Sequence, residues 1–521
     1  MNTERQTPPS TLDFSSQELT QAVDALRAGD FRAAEIRLQA LVSNGDERPE
    51  TCRLLALAEF RCGNLDQAAI HAQRATVLDA RDPLAWNVLG MIRDALGQWR
   101  IAADAFGHAC RLRPDNLKLL ANWGKTLVEH AQFAQAIPIL LHALTLGEHS
   151  ASRLRLATAF VATGQLDAAE RLYREQVSKY PMDGSTWFAL ASLGEKSLTA
   201  ADADALREHV GAASEEDGIG IQFALSRYAE QQGDYASAFA WLVEANTAER
   251  GRVAWDAAAY SRFVTDILDA FQAPHATAES QRGHGVLFIL GLPRTGSTLV
   301  EQSIGQHDAV SAGGELSVLH DIIENESKIR GMAFPEWVAA AKPQDWTRLG
   351  EEYLAAVAEQ RGGASVFTDK RCGNWIYIGA IARMLPGARI IYTRRDAVDT
   401  CFGCFRQRFS HGAQLFSYRL DECAAYLRDC ERAMQVWQQR FPERIRVQEH
   451  ELLLSRRDEE IAALGEFCGL PMRDVPTHFP KADIATASAA QLRSSRAKAR
   501  SWSEQYGSHL DALRLALRAN D

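Results

Sequence analysis

The sequence predicts an all-α superhelix of two-helix repeats followed by an α/β domain with a central parallel sheet. Three observations carry this. A short motif recurs at a period near 34 through the first half of the chain. A strand, a glycine loop and a helix follow one another over 286–304. From there on, buried-strand segments alternate with helical ones.

The repeat comes first in the chain. RAGDF at 27–31, RCGNL at 61–65, ALGQW at 95–99, EHAQF at 129–133, ATGQL at 162–166 and QQGDY at 231–235 share one pattern. The steps between their turn positions are 34, 34, 34, 33 and 69, the last spanning two periods with a degenerate copy between. Five residues after each turn stands an alanine: Ala34, Ala68, Ala102, Ala136, Ala169 and Ala238. Gly90 and Gly124 repeat at the same interval, and Pro114 and Pro181 fall where helix pairs should end. A 34-residue period with a glycine turn between amphipathic helices is the tetratricopeptide signature. Stacked repeats of this kind form a concave surface. Its use is either capture of a peptide or protein partner, or support of the other domain and self-association. A homodimer is compatible with it. The expected organisation is a disordered N-terminus over 1–15, the repeat array over 16–270, a linker over 271–284 and the second domain over 285–521.

Composition excludes several classes. The chain has 521 residues, 46% hydrophobic and 24% charged, ordinary for a soluble protein of two or more domains. A net charge of −10 gives no basic footprint for nucleic acid. No apolar run is long enough to span a membrane, and the first residues lack the apolar core of a secretory signal. Nine cysteines fit reduced thiols in a cytoplasmic setting, with Cys401 and Cys404 read as two helix-borne thiols and not as a metal or redox pair.

In the second half, 286–290, Ser365–Thr368, Arg389–Thr393 and Ile445–Gln448 read as strands, with helices over Asn374–Leu385 and Asp421–Gln439. Strands alternating with helices imply a parallel sheet, with ligands beyond the carboxyl ends of the strands. Three polar clusters fall at such ends: Pro293–Thr298, Asp369-Lys370-Arg371 and Arg394-Arg395-Asp396. The first, Gly291-Leu-Pro-Arg-Thr-Gly296-Ser297-Thr298, has the spacing of a phosphate-binding loop, with backbone N–H groups and a helix N-terminus available to an anion. Ser297 stands where a nucleoside-triphosphate loop has its lysine, which argues against an ATPase or kinase. The plain alternative is a turn that binds nothing.

These residues resemble a known family, the sulfotransferases that use 3′-phosphoadenosine 5′-phosphosulfate (PAPS). The likeness is to fusions of tetratricopeptide repeats with a sulfotransferase domain, and through them to protein-tyrosine sulfotransferases. Leu292-Pro-Arg-Thr-Gly-Ser-Thr298 is similar to the family's loop for the 5′-phosphosulfate, which implies donor contacts at Arg294, Thr295, Gly296, Ser297 and Thr298. Gly314-Glu315, twenty-one residues after Arg294, resembles the pair whose glutamate is the catalytic base. Asp369-Lys370 resembles the second-strand lysine, and Tyr392-Thr-Arg-Arg395-Asp396 the turn whose arginine binds the 3′-phosphate. Ser488-Ala-Ala-Gln491-Leu492 with Trp502 resembles the loop that closes over the nucleotide. The likeness covers roughly 284–505. Three positions depart from it: Gly403 stands where the family has a 3′-phosphate serine, Glu449-His-Glu-Leu452 replaces Y-E-D-L, and Ser501 replaces a basic residue before Trp502.

The resemblance implies PAPS as donor, adenosine 3′,5′-bisphosphate as product and no metal. It implies Glu315, Arg294 and Lys370 as the catalytic group, with Arg395, Gly403, Ser488 and Gln491 among the nucleotide contacts. The acceptor it implies is a hydroxyl, first of all a peptide tyrosine that also meets the repeat groove. A carbohydrate or small-molecule acceptor, and a repeat adaptor that has lost catalysis, are the other two readings.

Overall fold

The structure, a computed structural model, describes residues 11–194, 196–272, 281–409, 414–470 and 501–518. The chain divides into two compact units, Met1–Leu172 and Tyr173–Asp521.

The first unit is helix pairs throughout. All six repeat turns of the chain, five of them here, adopt the left-handed backbone that the motif demands: φ is +81° at Gly29, +87° at Gly63, +74° at Gly97, +58° at Ala131, +81° at Gly164 and +76° at Gly233. Glycine adopts this conformation without a Cβ penalty, whereas Ala131 bears one. The six spaced alanines are all fully buried, so each marks a close helix crossing. Gly90 and Gly124 serve the same end, since a Cβ there would lie 2.7 Å from the Phe106 ring and 2.4 Å from Leu140. The result is a series of small separate cores, each made by neighbouring pairs.

The second unit contains a five-stranded sheet. Its strands are β1 (Val286–Gly291), β2 (Val310–Ala312), β3 (Val366–Lys370), β4 (Arg389–Arg394) and β5 (Ile445–Glu449), in the order β2-β3-β1-β4-β5. Every pairing is parallel. The four predicted strands are present; β2 is a three-residue addition at the edge, too short to show periodicity. Alternate residues of β1 enter different cores, as a strand covered on both faces requires. Val286, Phe288 and Leu290 enter one, Leu287 and Ile289 the other.

The core around Phe288 is shared with helices that the repeat pattern assigns to the array. Phe188, Phe223, Leu242, Val264 and Ile267 are buried in it together with Ile381, Phe402 and Trp437. Phe271, expected at the start of a linker, is 5% exposed and packs among Phe334, Trp346 and Trp437. Arg282 Nε donates to Met384 O at 2.6 Å. Packing therefore divides the chain near residue 172, about a hundred residues before the place where the repeat signature fades, because the last helices bury their apolar faces on the α/β elements.

Candidate active site

Five strand ends converge on one side of the sheet. The glycine loop follows β1, Gly313-Gly314-Glu315 follows β2, β3 ends on Asp369-Lys370, β4 on Arg394-Arg395 and β5 on Glu449-His450. Parallel pairing puts all five at the same edge.

The loop is held in shape by its own residues. Gly291, Arg294 and Gly296 have φ of +144°, +74° and +92°. Thr295 donates its hydroxyl proton to Leu292 O at 2.7 Å and accepts from the Thr393 hydroxyl at 2.7 Å, while Thr393 Oγ1 lies 3.1 Å from Leu290 O. Thr295 thus spends its side chain on tying the loop to β4. Helix Ser297–Ile304 begins at Gly296 without a side-chain cap. The first N–H groups of any helix lack intrahelical partners, so this end suits an anion. Ser297 Oγ lies 3.5 Å from Cys372 Sγ. Arg294 is partly buried, and burial together with Arg406 pushes its guanidinium down to about 10, still a cation at neutral pH.

Glu315 and Lys370 meet. Lys370 Nζ donates to Glu315 Oε1 at 2.6 Å, with the lysine 1% and the glutamate 54% exposed. Burial disfavours the ammonium, but Glu315 and Glu301 outweigh this and hold its pKa above the ordinary lysine value. The turn that carries Glu315 is fixed from below. Glu301, buried on the loop helix, accepts from Thr368 Oγ1 at 2.7 Å and from Gly314 N–H at 3.2 Å. Burial raises the Glu301 pKa despite these donors and Lys370. Asp369 lies beneath the site, accepting from Tyr353 OH at 2.8 Å and Asn374 Nδ2 at 3.1 Å, and burial pushes its carboxyl up to about 7.

The two arginines at the end of β4 turn different ways. Arg394 pairs with Glu431 and Glu449 at the surface. Arg395 turns to the loop, where Nη1 approaches Arg294 O at 3.5 Å and Nη2 bonds Asp399 at 2.9 Å. Asp396 caps helix Ala397–Phe405 by accepting from Asp399 N–H. Gly403 lies against the stem of Arg294: a Cβ there would be 3.2 Å from Arg294 Cβ and 3.3 Å from its Cγ. The expected role of position 403 toward a 3′-phosphate thus meets a different immediate neighbour. Cys401 and Cys404 are buried on the same helix as free thiols. Ser488 and Gln491 lie outside the described residues; Trp502 opens a short helix capped by Ser501.

Sequence reasoning missed His450. A Cβ at Gly296 would lie 2.5 Å from its Nδ1, a buried atom with no hydrogen-bond partner among the described residues. Burial, with Arg395 and Arg294 nearby, pushes His450 down to about 4, so the ring is neutral. The signal that could have found it was the Glu449-His-Glu-Leu452 departure. Glu301 was also missed, since a helix-borne glutamate looks like any surface acid.

Comparison with known proteins agrees with the site's place in the chain. Residues 287–474 match the model of the Sulfotransferase family. A curated relative from Aquifex aeolicus (strain VF5), itself called an uncharacterized protein, is 30% identical over 284 residues, which cover 52% of this chain and 37% of the relative. The match thus spans little over a third of that relative's length. Among solved structures, a thermophilic tetratricopeptide-repeat protein of Thermus thermophilus is similar at 21% identity, covering 32% of this chain and 92% of its own, with a TM-score of 0.28. A tetratricopeptide repeat protein of Parabacteroides merdae is similar at 16% identity, covering 45% and 92%, with a TM-score of 0.32. The part of the chain similar to the Sulfotransferase family is thus the part that holds the sheet and its strand-end cluster. Among the described residues no helix is long and apolar enough to cross a membrane.

Proposed function

We propose that this sulfotransferase-family domain moves the sulfuryl group of PAPS to an acceptor hydroxyl, foremost a tyrosine of a peptide or protein. The observation that carries the reading is the pairing of Glu315 with Lys370 at the strand ends that also hold the loop and Arg395. Bound PAPS would supply the activated sulfuryl group. The amides of Thr295–Thr298 with Arg294 suit its 5′-phosphosulfate, and Arg395 its 3′-phosphate.

A tyrosine hydroxyl has a pKa near ~10 and is mostly protonated at neutral pH. Glu315 takes that proton as the acceptor oxygen bonds to sulfur. The bond from sulfur to the phosphate oxygen breaks, and its electron pair stays on that oxygen. Lys370 and the loop amides then stabilise the growing charge. A carboxylate has two oxygens, so Oε1 on Lys370 is compatible with the other receiving a proton. The repeats favour a peptide acceptor, because stacked helix pairs offer an extended concave surface.

The test is full-length protein with labelled PAPS and a panel of tyrosine peptides, oligosaccharides and small phenols. Label in tyrosine peptides, with adenosine 3′,5′-bisphosphate competing and ATP not, is the expected result. Label confined to glycans or phenols would remove the peptide acceptor. No transfer and no bisphosphate binding would remove the donor.

A further inference from the structure

Helix Ala397–Phe405 runs from the Arg395 turn to a C-terminal end that is buried among helices of the repeat pattern. The last carbonyls of a helix have no intrahelical donors and need others when buried. Two are met here from the helices Glu215–Gln231 and Tyr235–Gly251, which flank the QQGDY turn. Asn246 Nδ2 donates to Phe405 O at 2.9 Å, and Arg227 Nη2 to Arg406 O at 2.8 Å. The side chain of Arg406, 3% exposed, is gripped by Glu230, with Nε to Oε1 at 2.6 Å and Nη2 on Oε2. Tyr506 OH donates to the same glutamate. Arg406 lies 3.6 Å over the Trp502 ring. At the other end of the helix, Asp399 joins Arg395 Nη2 to Ser503 N–H at 2.9 and 3.0 Å.

Glu230 therefore ties together a repeat helix, the end of the Arg395 helix and the returning C-terminal segment. We propose that Glu230 is a positioning residue for donor binding: by fixing Arg406 it fixes the helix that starts from the Arg395 turn, and with it the place of Arg395. This rests on the reading of Arg395 as the 3′-phosphate contact. Burial works against the Glu230 carboxylate, but Arg406 and Arg227 outweigh it and hold the group down to about 2, so it is ionised at any working pH. A helix is stiff along its axis, and Arg395 and Arg406 bracket its nine residues. A shift at one end is felt at the other. The last repeat is then part of the donor site and not a detachable module.

The experiment uses full-length protein and Glu230→Gln, which keeps the shape and removes the charge. Calorimetry measures adenosine 3′,5′-bisphosphate and 5′-AMP, with cooperative melting as the check of folding. The expected result is a bisphosphate affinity about tenfold lower, roughly one charge-assisted contact, with 5′-AMP affinity held within about twofold. In turnover, KM for PAPS rises and kcat holds. Tyr506→Phe, which removes one donor to Glu230, shifts bisphosphate affinity in the same direction by less, and decides the matter if Glu230→Gln does not fold. A folded Glu230→Gln that binds both ligands as the wild type does, or loses both alike, overturns the inference alone. A wild-type protein with no preference for the bisphosphate over 5′-AMP overturns both this and the donor reading.

Discussion

Glu315 Oε1 and Lys370 Nζ lie 2.6 Å apart, joining the turn after β2 to the last residue of β3. The pair couples an exposed carboxylate to a buried ammonium. Deletion of one partner leaves the other in altered company, so the two residues should not behave as independent contributions.

Glu315→Gln should lower turnover about 10²–10⁴-fold, the usual share of a general base. Bisphosphate affinity should change little, because Lys370 keeps Glu301 as a second anionic neighbour. Single-turnover rates and calorimetry on the same preparation separate the two. Loss of nucleotide binding in step with turnover would make Glu315 a structural residue.

Gly403→Ser tests the packing of the loop arginine. A serine hydroxyl could add a donor toward a 3′-phosphate, the expectation that the family pattern raises. In the structure the new Cβ would press on Cβ and Cγ of Arg294 at 3.2 and 3.3 Å. Those atoms are the stiff part of the side chain, next to a backbone already at φ +74°. The gain from replacing a helical glycine is only about 0.5–1 kcal/mol. The expected outcome is unchanged or slightly lowered thermal stability with weaker binding of bisphosphate and of 5′-AMP alike. Selective tightening of the bisphosphate would show that Arg294 yields and the hydroxyl reaches the phosphate.

Asp369 predicts a pH dependence of stability. Its carboxyl is raised from 3.8 to about 7 on folding. Between those values the folded protein holds more protons than the unfolded one, so this group's contribution falls as pH rises from about 4 to about 7. The groups that face it are Tyr353 and Asn374, which donate to it, the Glu301 carboxyl, which raises it, and Arg371, which lowers it. Asp369→Asn removes the titration, and the new amide NH2 can donate to Asn374 Oδ1, a buried atom with no partner among the described residues. Urea unfolding at several values between pH 4 and pH 8 should show the variant gaining on the wild type as pH rises. Parallel curves would mean Asp369 is ionised throughout.

The features legible in the sequence were those fixed by neighbours in the chain. A left-handed turn must be made by the residue at that turn, so Gly29, Gly63, Gly97, Gly164 and Gly233 announced themselves, and Ala131 was legible only through the register of the others. The buried alanines at helix crossings, the apolar run of β1 and the glycine loop before helix Ser297–Ile304 are local in the same sense. Glu315 and Lys370 were legible as candidates because each follows a strand or a small-residue turn in a recognisable motif. Three residues of β2 carry too little pattern to be seen, and the pairing with β3 makes them a strand.

The sequence by itself determined the two-helix repeats, four of the five strands and the loop with its flanking polar clusters, because short-range periodicity and turn geometry dictate these. Only the tertiary structure decided which polar residues become one another's partners. His450 reaches Gly296 from the end of β5, Glu301 holds the Gly314 amide from the loop helix, and Glu230 grips Arg406 across 176 positions of sequence. Side chains that far apart in the chain become neighbours only when sheet and helices pack. Burial and partner then fix a role that residue type alone leaves open: the same glutamate would be a solvated surface acid on a free repeat and is a buried ion-pair partner here.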